Sequence, residues 1–468
     1  MASEYESVRS RILSGENRRP SLPTFAFAPL SPTSPPRSQR SSIPLSLPSP
    51  GSTLFDSSAP DHCTFISSLS THIRHLSESR LSQGFLHLHA SPIHSPTYLP
   101  DTSQTYSHIT GLFRRIDISF YNLSPARLES FLSHLIIRFI HSSTYLSNTG
   151  TDLSTTSKIC HSIFSSTGIA ELNLPNTEGY RSELDAISSQ GHPPTLTAIL
   201  RGREAVVHYT NALVYFIQSL IRPNGELTQD LIKETHRILV QDSDPVDDKT
   251  WEQFGGWYRD YRLVSVNEGE NEGEIDKDTT TAERAHRALS VESPISRRAS
   301  SVYPITPLSE EGRRLSLETD RSRRESINPA AVGMYMSKLV YSYHAQLALD
   351  KSQADGGEAN FSDPFALSAW LVCQFLHIHP FVVGNEEMGR IILAGVLMKK
   401  LGIVAIIGED KKVGRVEYMG ILERYMERHR GEGAAEEGDE EAYSEFAALV
   451  VRKALSCVGE FAAMVGSS

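Results

Sequence analysis

The chain has 468 residues, 39% of them hydrophobic, which is enough for one large buried core, and its 45 Lys+Arg against 56 Asp+Glu give a formal net charge of −11. That acidic balance argues against a surface built for phosphate backbones, so nucleic acid is not the expected partner. Four scattered cysteines without a CxxC pair, no apolar run of membrane-span length, and the early acids Glu4, Glu6 and Glu16 argue in turn against a disulfide scaffold, a membrane span and a mitochondrial presequence, so cytoplasm or nucleus is the expected location.

Residues 1–60 form a Ser/Pro/Arg tract, for example Ser31-Pro32-Thr33-Ser34-Pro35-Pro36, and are expected to be disordered because they cannot bury enough apolar surface to offset the entropy of ordering. Residues 61–120 read as a helical extension, with a loose apolar stripe over Cys63 to Leu81. A better stripe follows over Pro125 to Leu146, with Leu128, Phe131, Leu132, Leu135, Ile136 and Phe139 on one face. Ser124 before Pro125 supplies an N-cap followed by proline at the first helical position.

The clearest helix runs from about 195 to 221, with Ile199, Val206, Leu213, Phe216, Ile217 and Leu220 at helical spacing and Pro223-Asn224-Gly225 as its stop. Thr228 then caps a short helix, Gln229 to Val240. Tyr261 to Val266 alternates like a strand, the one candidate for a small hairpin.

Residues 267–328 open acidic and turn basic and serine-rich, with Arg297-Arg298-Ala299-Ser300, Arg313-Arg314-Leu315-Ser316 and Arg323-Arg324-Glu325-Ser326. The composition predicts a disordered insertion that divides a domain into 121–266 and 329–463. Helices are expected again over Pro329 to Leu349, Phe365 to His377 after Asp363-Pro364, Asn385 to Leu401 with Gly402 as its stop, Arg415 to Arg430, and Ala442 to Met464. The fold class is therefore all-α, with at most a small β-hairpin.

Chemistry concentrates in His379-Pro380-Phe381-Val382-Val383-Gly384-Asn385-Glu386-Glu387-Met388-Gly389-Arg390. The apolar periodicity breaks at His379 and resumes at Asn385, which predicts a loop between two buried helices. The start of the second helix exposes unpaired N–H groups that favour an anion, and a His beside it is placed to act as general base on a hydroxyl.

This stretch resembles the signature of the Fic (Fido) family, HxFx(D/E)GN(G/K)RxxR, without gap or insertion. His379, Phe381, Gly384, Asn385 and Arg390 match. Asp363-Pro364-Phe365, Tyr418 to Tyr425 and Gly255-Gly256-Trp257-Tyr258-Arg259 are similar to stretches of the family's fungal-type branch, the last of them leading into its flap hairpin.

The resemblance implies an all-α Fido domain with a hairpin flap, and a protein adenylyltransferase that moves AMP from ATP, usually with Mg²⁺, to a hydroxyl of a target protein. It implies His379 as the base, Phe381 as the buried anchor of the loop, Gly384 and Asn385 as the phosphate cradle, and Arg390 as the contact to the terminal phosphate.

Three positions depart from the pattern. Val383 stands where the family's acid holds the metal, and an isopropyl group offers no ligand to a hard cation, so no metal ligand is expected. Glu386 replaces Gly or Lys and Glu387 replaces the first Arg, placing two carboxylates where phosphates would lie. The family's inhibitory pattern (S/T)xxxE(G/N), whose Glu pairs with the second Arg, is matched in part by Thr167 to Glu171, with Leu172 out of pattern. Arg390 is equally placed to pair with Glu386 on its own helix. Three functions stay open on the sequence: an impaired Fic protein that acts by binding nucleotide or a protein partner, an active transferase with a rearranged site, and a scaffold whose low-complexity arms do the work.

Overall fold

The computed structural model of the protein describes residues 65–82, 86, 88, 90, 91, 94, 97–166, 178–243, 249–259, 328–354, 363–409, 412–428 and 443–466, all within the compact unit His62–Ser468. The tail 1–60, the strand expected over Tyr261 to Val266, the insertion 267–328 (all but its last residue) and Glu171 lie outside these residues. Among the described residues the regular elements are helices and no strand occurs.

In chain order the helices are α1 (Phe65–Ser82), α2 (Thr102–Ser119), α3 (Pro125–Leu146), α4 (Leu153–Phe164), α5 (Glu178–Ser189), α6 (Leu196–Ile221), α7 (Gln229–Leu239), α8 (Trp251–Phe254), α9 (Val332–Ala354), α10 (Pro364–Ile378), α11 (Asn385–Leu401), α12 (Lys412–Arg428) and α13 (Ser444–Gly466). Short 3₁₀ turns at Phe120–Asn122 and Pro329–Ala331 lead into α3 and α9.

Local chemistry sets the starts. Ser124 accepts the N–H of Arg127 at 3.3 Å with Pro125 in the first turn, Thr195 accepts Ala198 N–H at 3.1 Å, and Thr228 accepts Leu231 N–H at 3.1 Å. Gly402 ends α11 in the left-handed region (φ 74°), and its N–H closes on Met398 O at 2.9 Å.

The centre of the molecule is the antiparallel-linked pair α10 and α11, buried on nearly every side as a helix without a polar face must be. Helix α6 packs across α11 and also meets α3, α4 and α7, while α10 rests on α9, α12 and α13. The crossing of α6 and α11 requires Gly395, because a Cβ there would stand 2.4 Å from Phe216 Cε1. Helix α13 in turn covers α2, so the N-terminal helices share the core.

Polar ties reinforce the packing. Arg80 grips Asp117 between α1 and α2 at 2.8 Å, and Arg203 grips Glu183 between α6 and α5 at 2.7 Å, both pairs buried. At the head of α10, Asp363 caps the helix through Phe365 N–H (3.0 Å) and Ala366 N–H (3.1 Å), and its other oxygen accepts from Ser91 N–H, His94 Nε2 and Tyr106 Oη. The residue that caps the helix leading into the His379 loop is thus held by the N-terminal extension.

Cys160, Cys373 and Cys457 are free and buried. Burial pushes the thiols of Cys160 and Cys457 up to about 12 and about 11, leaving them poor nucleophiles. No described helix is long and apolar enough to cross a membrane.

Candidate active site

The periodicity break at His379 is a real loop. Helix α10 ends at Ile378, and His379 takes the left-handed conformation (φ 48°, ψ 60°) with its N–H closed on Phe375 O at 3.0 Å. A non-glycine residue in this region is uncommon and marks a position held by its surroundings. Gly384 returns to the left-handed region (φ 76°) and α11 begins at Asn385.

Three residues hold the backbone between these points. Asn385 reaches back to Phe381, accepting its N–H on Oδ1 at 3.0 Å and donating from Nδ2 to its carbonyl at 2.9 Å. Only one orientation of the amide satisfies both bonds, and it points Nδ2 at the His379 ring, 3.2 Å from Nδ1 and 3.3 Å from Nε2. From the segment after α8, Arg259 donates Nε to His379 O at 2.7 Å and Nη2 to Ile378 O at 3.3 Å, while its own N–H meets Pro380 O at 2.8 Å. These carbonyls at the C-terminal end of α10 welcome a cation.

The third residue is His236 of α7. Its imidazole lies flat on the ring of Phe381, centroids 3.7 Å apart and planes within 1°. Its Nδ1 accepts Gly256 N–H at 3.0 Å, so Nε2 carries the proton that is given to Val383 O at 2.9 Å. Burial holds its pKa down at about 4, against the opposing pull of the Val383 carbonyl, and the ring is neutral at physiological pH. One neutral ring therefore ties the Gly255-Gly256 corner to the loop. Phe381, beneath this ring, has no exposed surface.

Arg390 lies apart from this frame. Its side chain is 2% exposed, and Nη2 donates to Ser143 O at 3.2 Å and to Ser147 Oγ, at the end of α3. Its Nε and Nη1 have no hydrogen-bond partner. The Tyr418 ring stands 5.7 Å from the guanidinium carbon, and the Glu387 carboxylate is 4.0 Å from Nη2. Burial works against the charge, but Tyr418, Glu387, Tyr209 and Glu386 outweigh it and keep the group firmly protonated.

The stretch set against Arg390 is Ser143-Thr144-Tyr145-Leu146-Ser147-Asn148. It fits the pattern (S/T)xxxE(G/N) at its first and last positions, with Ser147 in the place of the Glu. The register expected around Glu171 falls outside the described residues, whereas this one meets Arg390 directly. A hydroxyl and a carbonyl are weaker partners for a buried cation than a carboxylate. Replacing Arg390 with Met is accordingly expected to change the unfolding free energy by no more than about 1 kcal/mol, because the desolvation and the two unmet donors vanish with the bonds. A larger loss in urea denaturation would mean that Ser143 and Ser147 hold the guanidinium well.

A second guanidinium, Arg415 of α12, comes near without an obvious role in the sequence. Burial pulls its pKa down, Glu386 and Tyr145 pull it back up, and the charge of Arg390 pushes it down again.

These residues do not fit Mg²⁺ with a triphosphate. Val383 presents a carbonyl already bonded to His236 and an apolar side chain, and among the described residues no group of three or more His, Cys, Asp or Glu is arranged to hold a metal. The Asn385 amide is spent on Phe381 and His379, and Arg390 is turned inward with Glu386 and Glu387 beside it.

Residues 309–397 match the Fic/DOC family. A Fido domain-containing protein of Dictyostelium discoideum is 36% identical over 72 residues, 15% of this chain and 48% of that protein, so the chain spans about half the length of this curated relative. Similar solved structures include a Fic domain-containing signaling protein from Bacteroides thetaiotaomicron (TM-score 0.45, 15% identity, 77% of this chain and 98% of that one). Another is Fic-1 from C. elegans (TM-score 0.44, 13% identity, 86% and 88%). The stretch of this chain that matches the Fic/DOC family thus holds α10, the His379 loop and most of α11.

Proposed function

We propose that this protein keeps the frame of a Fic nucleotide-transfer loop without the transfer, and works by binding a protein partner. The observation that carries this reading is the seat of Arg390, buried on Ser143 and Ser147 rather than presented to a ligand. Val383, Glu386 and Glu387 support it, since they remove the metal ligand and add negative charge where phosphates would come. His379 would be the base if a hydroxyl were ever activated here, and Gly384, Asn385 and Arg390 the contacts to phosphate.

The test is incubation of the full chain with ATP labelled in the α-phosphate, with and without Mg²⁺, alongside a nucleotide-binding titration. Labelling of the chain or of added proteins is expected to stay at background. The combined variant Val383→Asp, Glu386→Gly, Glu387→Arg is expected to gain Mg²⁺-dependent nucleotide binding. Strong AMP transfer that disappears in His379→Ala would overturn the proposal. It would favour instead an active transferase with a rearranged site, in which Arg415 supplies the cation missing at position 387.

A further inference from the structure

On the face of α7 opposite His236 lies an open groove of about 670 Å³, walled by the end of α6, the turn before α7 and the Gly255-Gly256-Trp257 corner. Its charges are unequal in their commitments. Arg237 is held by Glu234 through two bonds, Nε–Oε2 at 2.9 Å and Nη2–Oε1 at 2.6 Å. Lys233 sits over the Tyr258 ring, 4.5 Å from its centroid. Both cations of the groove are therefore engaged within the chain. Glu226 and Asp230 are exposed at the rim and form no ion pair or side-chain hydrogen bond among the described residues.

The remaining wall is aromatic. Trp257 is 65% exposed, an unusual position for a large apolar ring, and Tyr215 faces the groove from α6. One groove lining thus holds aromatic rings and uncommitted carboxylates, groups that together receive a guanidinium or ammonium: a ring takes the flat side of the cation and carboxylates its N–H groups. The backbone that forms this wall continues through Tyr258 into Arg259, which holds the His379 loop, and Gly256 gives its N–H to His236.

We infer that this groove docks an arginine- or lysine-bearing segment of a partner protein, with Trp257 under the cation and Glu226 and Asp230 around it. The inference rests on the protein-binding reading above and names the partner's chemistry. The groove's volume of about 670 Å³ exceeds that of one arginine side chain, which is why a peptide segment is favoured over a free small cation.

The experiment uses the full chain and fluorescence anisotropy with a short labelled peptide containing two adjacent arginines, and the same peptide with citrulline in their place. The arginine peptide is expected to bind on the order of tenfold more tightly, and added salt to narrow the difference. The double variant Glu226→Gln, Asp230→Asn is expected to bring the arginine peptide down to the citrulline level, and Trp257→Ala to weaken it comparably. All three side chains are exposed, so an unchanged unfolding midpoint verifies that the variants fold. Equal binding of the two peptides, or undiminished binding by the double variant, would overturn the inference. Equally tight binding of free arginine amide would overturn it in favour of a small-cation site. The nucleotide titration reads the other face of α7, so the two proposals fail separately.

Discussion

Asp363→Ala is expected to lower the unfolding free energy on the order of 4 kcal/mol, one of the two largest single-residue effects foreseen in this chain. The carboxylate has almost no exposed surface and collects five donors: Phe365 N–H and Ala366 N–H on Oδ1, and Ser91 N–H (3.1 Å), His94 Nε2 (2.7 Å) and Tyr106 Oη (2.5 Å) on Oδ2. Burial, with the adjacent Asp363 charge, drives the Tyr106 hydroxyl far above its ordinary pKa, so it remains a donor. Alanine removes the helix cap, worth about 1 kcal/mol, and leaves buried donors unmet at about 1–3 kcal/mol each, less what relaxation recovers. Tyr106→Phe removes one donor and spares the carboxylate, so a loss of only about 1 kcal/mol is expected. Urea denaturation distinguishes the two, and an Asp363→Ala loss as small as that of Tyr106→Phe would show that the cluster is not cooperative. Because α10 runs from Asp363 to the His379 loop, the alanine variant should also loosen that loop, visible as faster amide exchange at 379–385.

His236 should make the protein acid-sensitive. Its folded pKa of about 4 lies below the ordinary 6.5, because burial disfavours the charged ring, so the folded state prefers the neutral form. The stability this contributes is fully present above pH 6.5 and is lost as pH falls from there towards 4, up to about 3 kcal/mol. Burial lowers His72 and His208 in the same direction, so the measurement must be differential. In His236→Phe the ring can still lie on Phe381, but Gly256 N–H and Val383 O lose their partner, at an expected cost of about 2–4 kcal/mol at neutral pH. The variant's stability should then fall less steeply between pH 6.5 and 4 than that of the wild type. Parallel curves for the two proteins would refute the assignment of this pH dependence to His236.

Much of the architecture is legible in the sequence because its signals are local. Ser124-Pro125 and Gly402 mark helix ends within a residue, and the apolar stripe of 195–221 matches α6. Helix α12 begins at Lys412, three residues before the expected Arg415, and α13 at Ser444 rather than Ala442. Helix α2 falls inside the stretch 61–120 expected to be helical, whereas α4 and α5 are short and interrupted by Ser and Thr and stand outside the helices expected from the sequence, although Asp152 caps α4 through Ser154 N–H and Thr155 N–H.

The site divides in the same way. The loop, Phe381 and Asn385 follow from one contiguous stretch. Arg259 and His236 act on it from 120 and 147 residues away, and no periodicity reports such contacts. His236 does leave a trace, since it stands on the buried face of α7 with Ile232 and Thr235, where a polar residue needs a partner. The place of Arg390 depends on Ser143 and Ser147, likewise remote in the chain.

The bonds that shape the His379 loop come from Arg259, His236 and Asn385 and from backbone atoms, whereas the departures from the Fic signature lie at positions 383, 386 and 387. Asn385 belongs to the shaping set and to the family's phosphate cradle alike, but none of these bonds comes from a side chain at 383, 386 or 387. The first set is tied to folding, so a change there is penalised in any descendant that still needs the protein intact. The second is free to drift as soon as catalysis stops mattering. Substitutions at 383, 386 and 387 are therefore expected to alter what the loop can bind while leaving its backbone course intact.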